Sequence, residues 1–228
     1  MKAAIHQPNF LPWVGFFNKI KSVDLFIFFD DVQFERGKTY TSRTKILTQG
    51  NETWLTIPVI NKSALIQIKD IEVVQDTNWK SKHLKTLALI YKKTPYFDEV
   101  FQIIDRIYRV NSRYLIDYNI PLIKNICEYL KVGTEFKLSS ELSGADVKGG
   151  DKILNLLMSV KANEYLSGNG SGSQRYINDR EFELSGIILN WQNFVQKPYK
   201  QYGTNVFISN LSIIDLLFNM GKESCQII

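Results

Sequence analysis

The chain has 228 residues, 44% hydrophobic and 13% aromatic, with 28 Lys and Arg against 23 Asp and Glu for a net charge of +5. That length suits one sizeable domain or a domain with a helical subdomain, and the apolar content excludes a disordered chain. So mild a positive charge, with no basic stripe, suits an anionic small molecule and does not by itself argue for nucleic acid.

The first residues, MKAAI, are interrupted at once by His6 and Gln7, so they lack the apolar run of a signal peptide. AAIH reads as a short strand. PWVGFFNKIKS follows as a helix with proline at an early position and Lys19 and Lys21 near its end. LFIFFDD, residues 25–31, is a nearly continuous apolar run closed by two aspartates, the pattern of a buried parallel strand with polar groups at its carboxyl end. Strand, helix and buried strand in close succession form a βαβ unit.

The period then changes. RTKILT, TWLTIPV and KDIEVV are short β-like runs separated by Gly50-Asn51 and by Asn61-Lys62-Ser63, and read as a small antiparallel insert. NWKSKHLKTLALIYKK, YFDEVFQIIDRIY and SRYLIDYNIPLIKNICEYL are helical, with breaks at Pro95 and Asn111-Ser112 and a kink expected at Pro121. GGDKILNLLMSVKA is a further amphipathic helix. NEYLSG is a strand leading into the loop GNGSGS, GIILNW another apolar strand, and SIIDLLFNMG a helix ending on glycine. The expected fold is therefore α/β: a mostly parallel, Rossmann-like sheet with a small antiparallel insert and a helical subdomain at about 78–132, in one domain over 1–228. No stretch approaches the roughly eighteen uncharged apolar residues of a membrane span. Cys127 and Cys225 are far apart, which fits a reducing compartment and offers no metal-ligand spacing. The expected location is the cytoplasm, with no membrane contact.

His6 stands where α/β sheets meet their ligands, at a strand's carboxyl end before a helix. It can serve as a general base, an anion ligand or a hydrogen-bond donor, or be a strand-end residue satisfied by backbone. Gln7 and Asn9 add uncharged polar groups to the same turn, which Pro8 and Pro12 stiffen. His83 lies on one helical face with Trp79, Leu87 and Ile90, a position that by itself favours a core histidine. Asp30 and Asp31 can position a base, bind a metal or cap a turn. Arg43 and Lys45 can meet a phosphate or pair with those aspartates. The loop Ser167-Gly168-Asn169-Gly170-Ser171-Gly172-Ser173, followed by Gln174, Arg175 and Tyr176, can bring backbone amides to a ligand. It matches neither the P-loop nor the dinucleotide fingerprint, and serves equally well as a plain surface loop. Cys127 inside an apolar helix argues against a thiol nucleophile.

IHQPNFLPWVGFFNKI, FFDDVQF, WLTIPV, Trp79 with Lys82-His83, YLSGNG…Y and LSIIDLLFNMG together resemble the WbqC-like protein family, in order and over nearly the whole chain. The resemblance takes in both histidines and so makes His83 a site residue beside His6. After VQF the family tends to have Asn beside the Arg, whereas this chain reads Tyr40-Thr41-Ser42-Arg43, which implies an altered ligand contact there.

Members of that family are found with O-antigen and other bacterial surface-polysaccharide biosynthesis proteins, and some have been proposed to be glycine transferases. The resemblance implies transfer of an acyl or aminoacyl group to the amine of a dTDP- or UDP-linked deoxyamino sugar. The donor would be a thioester, an aminoacyl-tRNA or ATP plus an amino acid; no cofactor or metal is fixed, and a homodimer is one open assembly. His6 or His83 would be the base and the other a donor to the tetrahedral intermediate, with Asp30 or Asp31 orienting an imidazole. Gln7, Asn9, Trp13, Gln33 and Tyr176 would surround the substrate, while Arg43, Lys82 and the Ser167-Gly168 loop would hold a diphosphate. Two rivals stand beside this reading. One is an ATP-dependent carboxylate-activating nucleotidyltransferase, whose His-x-x-His turn the chain lacks; the other is a non-catalytic sugar-nucleotide binding protein.

Overall fold

A computed structural model describes residues 1–35, 37, 39–60, 65–75, 77–143 and 149–228. In chain order the elements are β1 (Lys2–His6), α1 (Val14–Lys21), β2 (Leu25–Phe28), β3 (Arg43–Thr48), β4 (Asn51–Thr56), β5 (Val59–Ile60), β6 (Glu72–Val73), α2 (Trp79–Tyr91), α3 (Phe97–Tyr108), α4 (Ile116–Tyr129), β7 (Glu135–Leu138), α5 (Gly150–Ser159), β8 (Glu164–Ser167), α6 (Ser171–Gln174), α7 (Asp179–Ser185), β9 (Ile188–Trp191) and α8 (Ile213–Met220). The fold is α/β. A five-stranded parallel sheet has the order β7-β2-β1-β8-β9, and two small antiparallel sheets pair β3 with β4 and β5 with β6.

The chain divides into two compact units. The first comprises Met1–Gln7, Asn18–Val32 and Gly133–Val195; the second comprises Pro8–Phe17, Gln33–Val132 and Gln196–Ile228.

The first unit holds the parallel sheet. All four residues of β2 are buried, as an apolar run covered on both faces requires. β1 lies between β2, with His6 opposite Phe28, and β8, with Ala3 opposite Tyr165. Ala3, Ile5, Leu25 and Ile27 pack against Ile153, Leu156 and Leu157 of α5 and Phe182 of α7. Asn178 caps α7 by accepting from the Arg180 amide, and Gly186 closes it in the left-handed region. β7, α6 and α7 are additions to the elements expected from the sequence, and α6 takes in part of the stretch expected to be a loop.

The second unit holds the antiparallel pairs and the helices α2 to α4. Gln49 and Gly50 both have positive φ and form the tight turn between β3 and β4, so the turn falls one residue earlier than Gly50-Asn51. The turn expected at Asn61-Lys62-Ser63 lies outside the described residues. Helix α1 begins at Val14, leaving Pro12 outside it, because Leu11 turns the chain through a positive φ and Trp13 bridges to Ser212. Pro121 falls inside α4. Among the described residues no helix is long and apolar enough to cross a membrane.

Candidate active site

In a parallel sheet every strand delivers its following residues to the same edge. Here β7 leads to Ser139 and Ser140, β2 to Asp30 and Asp31, β1 to His6 and Gln7, and β8 to Ser167 and Gly168. The chain winds from β1 to β2 on one side, and β8 later joins β1 on the other. The sense of winding therefore reverses between β1 and β8, and in open α/β sheets ligands bind in the crevice at such a reversal. His6 and the Ser167-Gly168 pair stand at that point.

His6 Nδ1 lies 3.0 Å from the Gln7 carbonyl oxygen. A carbonyl only accepts, so Nδ1 carries the hydrogen and the lone pair of the neutral ring sits on Nε2. Burial, then the positive charge of Lys19, push the imidazole down to about 3, against a smaller upward pull from the Gln7 carbonyl. His6 is therefore neutral near pH 7. Lys19, on the α1 turn within this unit, is only 2% exposed, and burial lowers its ammonium to about 8. A Cβ placed on Gly168 would sit 3.0 Å from Lys19 Nζ and 3.2 Å from Ser173 Oγ. Glycine there lets the loop backbone approach the ammonium closely.

Asp30 and Asp31, both buried, are held as a pair. The Ser140 amide and the Ser139 hydroxyl each donate to Asp30 Oδ1 at 3.0 Å, and the Ser140 hydroxyl donates to Oδ2 at 2.6 Å. Ser139 Oγ also contacts Asp31 Oδ1, while Lys152 Nζ pairs with Asp31 Oδ2 at 2.7 Å in a buried ion pair. Among the described residues no group of three or more His, Cys, Asp and Glu is placed to hold a metal ion. Ser167 is fully buried, whereas Tyr176 is half exposed, its carbonyl oxygen 2.4 Å from where a Cβ on Gly150 would lie.

The remaining expected residues belong to the second unit: Asn9, Trp13, Gln33, Arg43, Lys82 and His83. His83 Nε2 is 3.0 Å from the Thr56 carbonyl oxygen and Nδ1 is 3.1 Å from Tyr108 Oη. By the same logic Nε2–H donates to the carbonyl and Nδ1 accepts the Tyr108 proton, so both nitrogens are occupied. The ring stacks on Phe10 at 5.9 Å and meets Trp79 edge-on at 5.2 Å. Burial lowers it to about 4, opposed by the Thr56 carbonyl. Asn9 Oδ1 accepts weakly from Thr41 at 3.4 Å, while the fully buried Asn119 of α4 donates to the Pro8 and Thr41 carbonyls at 2.7 and 2.8 Å. The Trp13 ring fills the space a side chain on Gly15 would need, 2.2 Å from its Cβ position. Arg43 places its guanidinium 3.7 Å from the centroid of Trp54. Lys45 pairs with Glu52 at 2.6 Å. Gln33, bridged to Gln67, and Lys82 are exposed.

Sequence reading passed over Lys19, Ser139, Ser140 and Lys152. Two signals were available: Lys19 follows Phe16 by three residues in a helix of buried aromatics, and Lys152 precedes Leu156 by four on the buried stripe of α5. Burial raises the Cys127 thiol to about 12, which leaves it inert as a nucleophile.

The profile of the WbqC-like protein family matches residues 7–227. An uncharacterized Mycobacterium tuberculosis protein, Rv1507c, is 32% identical over 225 residues, covering 98% of this chain and 95% of that protein. No solved structure matches.

Proposed function

We propose that this chain, which belongs to the WbqC-like protein family, is a transferase that moves an acyl or aminoacyl group, glycyl in the leading case, onto the amine of a nucleotide-linked deoxyamino sugar in bacterial surface-polysaccharide biosynthesis. The observation that carries the reading is His6: a neutral imidazole with its lone pair on Nε2, held by the Gln7 carbonyl at the reversal point of a parallel sheet. Acyl transfer to an amine needs such a group. The sugar ammonium gives a proton to Nε2, and the freed amine attacks the donor carbonyl. A C–N bond forms and negative charge moves to the carbonyl oxygen. Collapse breaks the bond from the carbonyl carbon to the donor's leaving group, a thiolate or a tRNA oxygen, and that group leaves with a proton.

In this reading the base is His6. His83, whose Nδ1 already accepts from Tyr108, holds Phe10 and with it the second half of the turn IHQPNF. The Asp30–Asp31 pair, tied to Ser139, Ser140 and Lys152, fixes the end of β2 beside β1.

The test is direct. The purified chain is incubated with dTDP- and UDP-linked amino sugars and with thioester, aminoacyl-tRNA and free amino acid donors, with and without ATP, and the sugar product is weighed by mass spectrometry. The expected result is an acceptor heavier by one acyl group without ATP, formed about 10²–10⁴-fold more slowly by His6→Gln. Pyrophosphate release that depends on ATP and the amino acid would point instead to carboxylate activation. Saturable sugar-nucleotide binding with no product from any donor would end the transferase reading.

A further inference from the structure

Lys19 is the residue of the first unit for which proton transfer supplies no role. It is buried to 2% exposure, and among the described residues it makes no ion pair and donates no hydrogen bond from Nζ. Burial of the side chain lowers its ammonium, while Nζ is not among the enclosed polar atoms that lack a partner, so the tip of a buried stem stays open to an anion. Its surroundings say which kind of ligand. Nζ, Ser173 Oγ and the Gly168 backbone converge, since a single added Cβ on Gly168 would come within 3.0 Å of the first and 3.2 Å of the second. The loop 168–170, between β8 and α6, runs past this point, and among the described residues none of its three backbone amides donates to a protein acceptor. A buried lysine, a hydroxyl and backbone amides brought to one place are donors of the kind that hold a phosphate.

We propose that Lys19, Ser173 and the backbone of the 168–170 loop form a phosphate-binding site at the end of β8, which takes a phosphate of the acceptor substrate. This rests on the transferase reading only for the identity of that acceptor. The site also acts on the neighbouring base. With the site empty, burial first and the Lys19 charge second hold the His6 imidazole down, at about 3, where it is a weak base toward an ammonium. A bound phosphate cancels the Lys19 field and adds negative charge, and both effects raise the imidazole. The acceptor thus strengthens its own base.

The experiment uses the full chain without any acyl donor, so that it is independent of turnover. Inorganic phosphate, pyrophosphate, dTDP, UDP and thymidine are titrated by calorimetry, and the two histidine rings are followed by NMR as pH is varied. Pyrophosphate and the nucleoside diphosphates are expected to bind and to move the His6 titration upward, and thymidine to do neither. Tighter binding of dTDP or UDP than of pyrophosphate identifies a nucleotide as the phosphate's source, and equal binding a simpler phosphate ester; both support the site. Lys19→Met is expected to stay folded, to weaken pyrophosphate binding roughly 10- to 100-fold, the range for one charge-assisted hydrogen bond, and to abolish the His6 response. Lys19→Arg should retain most of the binding, and Gly168→Ala should weaken it through its added Cβ. Unchanged pyrophosphate affinity in a folded Lys19→Met, or phosphate binding that leaves His6 unmoved, overturns the proposal. Phosphate binding without acyl product leaves this site standing and removes the transferase reading; acyl product from Lys19→Met at wild-type KM does the reverse.

Discussion

The two histidines of the chain sit in opposite environments. His6, in the first unit, keeps part of its surface accessible, makes its Nδ1 bond to the next residue's carbonyl, and stands beside a buried cation. His83, in the second, is boxed by Phe10, Trp79 and Tyr108 with both nitrogens bonded. Both rings are neutral at pH 7, yet for different reasons: desolvation joined to a like charge in one, desolvation alone in the other. A lowered pKa is therefore no mark of a catalytic group in itself. What separates the two is their setting: one stands at a strand end beside a lysine, the other inside an aromatic box.

Substitution should expose that difference. The largest expected effect is on turnover: His6→Gln should lower kcat by about 10²–10⁴-fold, the usual contribution of a positioned base, with little change in the unfolding midpoint. Equal loss of activity and of stability would erase the contrast with His83. Next is the ion pair behind the strand ends. Lys152→Met leaves Asp31 as a buried carboxylate without its cation, and should cost about 3–5 kcal/mol in denaturant unfolding. His83→Ala should cost about 2–4 kcal/mol, because it strands the Thr56 carbonyl and Tyr108 hydroxyl and opens a cavity against Phe10. A further effect is on the acid limb of stability. Both imidazoles are lowered on folding, so the unfolded chain takes up protons first as pH falls below about 6.5. Stability should decline from there until the folded-state values of about 4 for His83 and about 3 for His6 are passed. His83→Gln, which cannot titrate, should flatten that decline; an unchanged slope would show that His83 is not held neutral by the fold.

Much of this arrangement was legible in the sequence. LFIF is apolar throughout and became the fully buried β2, and of the stripe Trp79, His83, Leu87 and Ile90 the first three became the buried face of α2, continued by Tyr91 while Ile90 is only partly buried. β7 escaped because Glu-Phe-Lys-Leu is short and carries charge at alternate positions, as an edge strand with one covered side does. α7 escaped because its seven residues bury only Phe182, so no periodic stripe announces it. The site was half legible for a related reason. His6, Asp30 and Asp31 end strongly patterned strands, whereas Lys19 and Lys152 lie on helices and read as ordinary surface cations. Their significance comes from burial, and burial of a lysine depends on strands that return more than a hundred residues later.

That long return has a consequence for how the chain reaches its fold. β1 pairs with β8, and Ser212 Oγ donates to the Leu11 carbonyl across 201 residues of sequence. Each unit gathers three separated segments. Closing contacts of this kind requires ordering long loops before the contacts repay the lost entropy, so folding should be slow by the standard of a helical protein of equal size. On the ribosome, β1 and β2 emerge well before β8 and β9 exist to complete their sheet, and a two-stranded fragment has little stability of its own. The apolar strand LFIF thus spends much of synthesis with β1 alone beside it and its other edge open until β7 is made, a window in which an exposed strand edge is prone to pair with other chains.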